Sequence, residues 1–276
     1  MRLFTCLLPA LLLGCAQVRD QPEDASSWYD GGELLDVVEP LEFTDQPYAA
    51  PSGMGIGDYE QMLFPVADGD PVFGPGDGYA TSGCPNGEDN ALPFEIEGTV
   101  TLHPRFYFKT IGCDGDEKYY GSFFVEDATG GFFVLGDSKV AHFDMGDTVR
   151  MRVRAVRTTF DVDMVYAHDI VSVERTAGPI YYEPLTSEPN IVDNRFDAGR
   201  VKRIEGTVIT DKDTFGEFQV EGDDGSVYNV SLDAEINRRG VGFDIGTRIR
   251  VTGPMLYSFS TFNIIVMRVG QLELID

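Results

Sequence analysis

Glu97-Gly98-Thr99-Val100 recurs 108 residues later as Glu205-Gly206-Thr207-Val208, and that repetition decides the architecture. Val125-Glu126-Asp127-Ala128-Thr129-Gly130-Gly131 is echoed at an offset of 95 by Val220-Glu221-Gly222-Asp223-Asp224-Gly225. Phe143-Asp144-Met145-Gly146-Asp147-Thr148-Val149 returns at an offset of 100 as Phe243-Asp244-Ile245-Gly246-Thr247-Arg248-Ile249. The order of the landmarks is kept. Only loop lengths differ, with 13 extra residues between the first two landmarks of the first copy and 5 extra between the next two of the second. Two homologous domains in tandem are the economical explanation.

Beyond Leu92 the chain consists of short alternating runs of Val, Ile, Phe, Tyr and Thr separated by Gly and Asp turns, the pattern of strands and hairpins. Five strands fit each copy. In the second, Asp233-Ala234-Glu235-Ile236-Asn237-Arg238-Arg239-Gly240 predicts a short helix, with Asp to cap its start, basic residues in its last turn and Gly as a stop. A five-stranded Greek-key barrel with a helix between strands three and four resembles the OB fold. The resemblance covers roughly residues 93 to 178 and 198 to 276 and rests on Gly98 and Gly206 in strand one, the Asp/Gly hairpin and the Gly before strand four. Glycine in strand one permits the sharp coiling of a small closed barrel. The first copy departs from the pattern, since Asp137 to His142 is barely one helical turn. An immunoglobulin-like sandwich is the rival fold, with more strands than each copy offers. The expected class is all-β, two tandem five-stranded OB-like barrels, joined by a Pro-rich connector over residues 179–197 whose Tyr181 and Tyr182 are expected to pack between the domains.

Arg2 precedes an apolar run from Leu3 to Leu13, closed by Leu12-Leu13-Gly14-Cys15. The run is too short to span a bilayer and has the form of a secretion signal. Its ending resembles the lipobox of bacterial lipoproteins, which implies cleavage after residue 14, lipidation of Cys15 and a mature chain anchored in the cell envelope. Ala16 after the cysteine resembles lipoproteins passed on to the outer membrane. Residues 15–92, interrupted by Pro and Gly, read as an acidic tether. Short apolar pieces such as Leu34-Leu35-Asp36-Val37-Val38 and Met62-Leu63-Phe64 are candidates to dock on a domain or partner.

Removing residues 1–14 takes away Arg2 and no acid, leaving 20 Lys+Arg against 46 Asp+Glu, net −26. Nucleic-acid binding depends mainly on Lys and Arg neutralising phosphates, so this balance predicts no nucleic-acid partner. Cys84 and Cys113 form an even pair in an oxidising compartment, and a disulfide between them is expected, contributing about 3.5 kcal/mol by chain entropy.

OB barrels commonly bind ligands across strands two and three and the adjoining loops. The insertion from His103 to Lys118 therefore draws attention, and Phe106, Phe108, Tyr119 and Tyr120 in or beside it are the candidate ligand-binding residues. Their rings either stack on a partner or cover an open barrel end. Asp211-Lys212-Asp213-Thr214-Phe215-Gly216 begins like a calcium loop but has Phe at the third ligand position, so a hairpin tip is expected. His103, His142 and His168 are isolated, without spacing for zinc, and no Ser elbow or nucleophilic Cys stands out. No catalytic residues, metal or cofactor are predicted. The expected function is a non-enzymatic binding or scaffolding lipoprotein for another envelope component, foremost a protein; a glycan-binding lipoprotein and a secreted hydrolase with a carboxylate site are the alternatives.

Overall fold

The computed structural model describes residues 41–65, 94–102, 106–111, 117–135, 143–238 and 243–276. In chain order, strand β1 (Phe43–Thr44) and helix α1 (Ile56–Leu63) precede the first barrel, built from β2 (Glu95–Val100), β3 (Phe106–Ile111), β4 (Glu117–Glu126), β5 (Gly131–Leu135), β6 (Thr148–Thr159) and β7 (Val162–Glu174). The connector carries β8 (Ile180–Tyr181), β9 (Glu183–Pro184) and α2 (Ile191–Asn194). The second barrel comprises β10 (Val201–Val208), β11 (Glu217–Gly222), β12 (Val227–Leu232), α3 (Ala234–Arg238), β13 (Arg248–Ser258), β14 (Thr261–Val266) and β15 (Leu272–Leu274).

Both barrels close by the same circuit. In the first, β2 pairs with β4, β4 with β5, β5 in parallel with β7, β7 with β6, and β6 with β2 again. In the second, β10, β11, β12, β14 and β13 repeat it, including the parallel β12–β14 step. This is the five-stranded OB-like arrangement expected. The ladder also shows why the repeated motifs are what they are. Gly146 and Gly246 turn at φ +87° and +91°, a left-handed conformation costly for other residues. From that turn Gly146 N–H donates to Val100 O at 2.8 Å, and Gly246 N–H to Val208 O at 2.8 Å. Each Phe-Asp-x-Gly turn thus clasps the end of its own Glu-Gly-Thr-Val strand. Thr99 faces Glu126 and Thr207 faces Glu221, so the sequence offsets mark equivalent positions.

Part of the expected tether belongs to the folded body. Ile56, Leu63 and Phe64 join the core of the first barrel with Phe123, Val125 and Phe132. The start of α1 is capped from the β4–β5 turn: Ile56 N–H donates to Asp127 at 2.8 Å and Gly57 N–H to Thr129 Oγ1 at 2.9 Å, satisfying donors that a helix leaves open. Upstream, β1 adds in parallel to β8 of the connector. Residues 41–65 therefore form a strap from the connector to the first core. The helix α3, placed as the sequence predicts, lies beside the β10–β11 turn, where Asn237 donates to Thr214 O at 3.1 Å. Turns before and after strand two lie at opposite ends of a barrel, so α1 and α3 close opposite ends of their respective barrels.

The barrels pack through their outer faces. Leu102, Phe124, Phe133, Leu135, Val162, Met164 and Tyr166 of the first meet Leu256, Ile265 and Met267 of the second in one buried cluster. Two equivalent hairpin tips meet there: Phe160 and Phe259 stack at 4.9 Å, and Phe259 N–H donates to Phe160 O at 3.0 Å. Arg268 pairs with Asp144 across the same boundary. The connector tyrosines, expected between the domains, instead pack against the second barrel and the strap: Tyr182 lies beneath the Arg203 guanidinium at 3.5 Å and Tyr181 edge-on to Tyr48 at 5.8 Å.

Candidate functional site

Strand β4 does two jobs. From Ser122 to Glu126 it runs in the closed barrel beside β5, while from Glu117 to Ser122 it pairs with β3. Strand β3 lies at the end of the strand order and outside the closed circuit. The sequence favours this pairing because Phe106-Tyr107-Phe108 and Tyr119-Tyr120 are aromatic runs of high strand propensity. All four candidate residues fall on this hairpin. Phe108 lies directly opposite Tyr120, Lys109 opposite Tyr119, and Phe106 opposite Ser122. By the alternation of a strand, Phe106, Phe108 and Tyr120 share one face of the ladder and Tyr119 belongs to the other. The second copy connects β10 to β11 by a short turn instead, in which Asp213 accepts from the N–H groups of Phe215 and Glu217 at 2.8 Å, the hairpin tip expected there.

A second cluster, unpredicted from the sequence, sits where the strap, the first barrel and the connector meet. Glu126 is 0 % exposed and accepts from Val201 N–H at 3.1 Å, with Arg200 Nε at 3.5 Å. Burial pushes its carboxyl up to about 8, against the pull of that N–H and of Arg200. Glu60, on α1, is 4 % exposed, and its Oε2 has no hydrogen-bond partner. Burial, and then the nearby Asp163 charge, hold it well above the usual carboxylate range. Around these two, Arg195 pairs with Asp163 at 2.8 Å, Arg200 with Glu183 at 2.9 Å, and Lys202 with Glu183 and Asp197 at 2.7 Å each. A crevice of about 20 Å³, room for one water, opens between Glu60, Asp163, Arg195 and Leu256.

Cys15, Cys84, Cys113, His103 and His142 lie outside the described residues; His168 falls in β7. Among the described residues no group of three or more His, Cys, Asp or Glu side chains is placed to hold a metal ion.

No protein-family model matches the chain, and no curated protein does. Solved structures similar to it include tetrameric p202 HIN2, 15% identical over 68% of this chain and 96% of that one, with a TM-score of 0.29. A murine DNA binding protein bound with double-stranded DNA is 13% identical over 66% and 99%, with a TM-score of 0.32. The wild-type single-stranded DNA binding protein from Thermus aquaticus is 12% identical over 68% and 94%, with a TM-score of 0.22. At this distance the likeness transfers no ligand, and the fold rests on the strand ladder. It does correct one expectation. Nucleic acid was excluded on net charge, and proteins crystallised with DNA stand among the similar structures, so the exclusion is withdrawn. The physical flaw is that net charge sums over the whole chain, whereas phosphate contacts depend on local charge.

Proposed function

We propose that this chain is a non-enzymatic binding module that engages another component of the bacterial cell envelope, foremost a protein, through the β3–β4 hairpin of its first barrel. A lipid on Cys15 holds it at the membrane, in the outer membrane by the residue that follows. The observation that carries this reading is the hairpin itself: an aromatic two-stranded extension of strand two, the region OB barrels commonly use for ligands, present in one copy and replaced by a short turn in the other. Inter-barrel packing occupies the outer faces of β5, β7 and β4 at Phe124, and β3 lies outside the closed circuit.

The test is an envelope pull-down with the chain from Ala16 onward, beside a Tyr119→Ala/Tyr120→Ala variant, read for proteins and glycans, with single-stranded DNA at low ionic strength as a third arm. Truncating a hot-spot aromatic typically costs about 2 kcal/mol or more, roughly thirtyfold in affinity, so a partner held by the native chain is expected to be lost by the variant. Equal retention by both would move the site off the hairpin. A glycan or DNA captured in place of a protein would replace the partner class.

A further inference from the structure

We propose that the junction of strap, first barrel and connector is a proton-held latch: while Glu60 and Glu126 carry protons the strap of residues 41–65 stays docked, and their loss in alkaline solution releases it. The junction gathers Glu60, Glu126, Asp163, Glu183 and Asp197, with Asp161 lining the same crevice, around Arg195, Arg200 and Lys202. The closest pairings match the cations to Asp163, Glu183 and Asp197. Glu60 is left without a paired cation among the described residues, and Glu126 shares Arg200 with Glu183, at 3.5 Å against 2.9 Å. These two are the most deeply buried carboxylates of the described residues, and a buried carboxylate without a full counter-ion of its own is held toward its neutral form.

Geometry makes each of them a fastener. Glu60 lies on the buried face of α1 with Asp163 and Arg195 of the opposite elements before it and Asp197 and Arg200 beyond. Glu126 lies under the start of β10, with Arg200, Glu183 and the buried Tyr48 phenol of the strap around it. Ionising Glu60 places a second negative charge beside Asp163; ionising Glu126 buries one beside the strap. Elsewhere at the start of α1, Asp58 accepts from Gly55 N–H and Asp127 from Ile56 N–H. Because the folded carboxyls hold protons that the unfolded chain gives up, docking is strongest on the acid side of the ordinary carboxylate range and weakens as pH rises through about 8 for Glu126.

Hydrogen exchange on the full chain between pH 6 and 9, corrected for the intrinsic base-catalysed rate, tests the latch. Amides of α1 are expected to lose protection at least about tenfold across that range, while those of β11 and β12 in the second barrel stay constant. The Glu60→Gln/Glu126→Gln variant, which fixes both groups neutral, is expected to keep α1 protected to pH 9. Constant protection of α1 in the native chain overturns the proposal, as does loss in the double variant with an unchanged midpoint. If the double variant does not fold, the native profile and Glu126→Gln alone decide.

Discussion

Phe64→Ala is expected to destabilise the protein by about 3–5 kcal/mol, although residue 64 lies upstream of both barrels in sequence. Its side chain is fully buried in the first core and meets Phe132 edge-on at 6.2 Å, and its carbonyl accepts from the buried Arg195. Truncation removes the ring from among Phe123, Val125 and Phe132, which are fixed in the strands of the barrel, so little can collapse to fill the space. Domains of this kind are stable by about 5–15 kcal/mol, so the loss is a large fraction of the total. Urea unfolding measures it, with Val192→Ala as control, since Val192 is 78 % exposed and its truncation is expected to change stability by less than about 0.5 kcal/mol. A Phe64→Ala effect as small as that of the control would show that α1 is undocked in solution.

Gly131→Val is expected to separate the barrels. A Cβ at Gly131 would lie 2.4 Å from Gly199 O and 2.5 Å from Gly199 C. A Cβ at Gly199 would in turn lie 2.7 Å from Gly131 C, and Gly199 itself has φ +89°. Two backbones touch there, one from the β4–β5 turn and one from the segment entering β10, and Gly199 N–H is fixed to Met255 O at 2.7 Å. No side-chain adjustment relieves the collision, so a cost of about 3 kcal/mol is expected at the contact, enough to shift docking roughly a hundredfold. Small-angle scattering should then report a larger radius of gyration, and the single melting transition should split in two. Gly53→Ala, with nothing within 4 Å of the added carbon, should leave both unchanged. A compact Gly131→Val protein would mean that the inter-barrel face adapts around the contact.

The tandem barrels were legible because their motifs do structural work: a glycine where strand two passes close, and a left-handed glycine turn clasping strand one. The candidate site was legible only as sequence neighbours of strand two. Phe106, Phe108, Tyr119 and Tyr120 fall on β3 and β4, but their pairing as a separate hairpin depends on cross-strand partners that no local pattern names. The helix α1 escaped notice because its buried face, Ile56, Gly57, Glu60 and Leu63, includes a glycine and a carboxylate, and because Pro and Gly surround it. The inter-barrel face left a readable trace. Phe123-Phe124-Val125 and Phe132-Phe133-Val134-Leu135 do not alternate, as strands covered on both faces need not, and each residue is buried.

Docking of the strap also sets a leash. For a chain held at Cys15 as proposed, no more than about 26 residues separate the lipid from the described body at residue 41, at most roughly 90 Å fully extended, against the 80 or so residues and roughly 280 Å that a tether reaching β2 would allow. By the −3/2 power of length that governs a flexible linker, a threefold shorter leash raises the effective concentration of the barrels at membrane-proximal partners about fivefold. With the proposed anchor at Cys15, undocking residues 41–65 would pay out that length again, so the seat of one helix in one barrel would set how far from the membrane the hairpin could search.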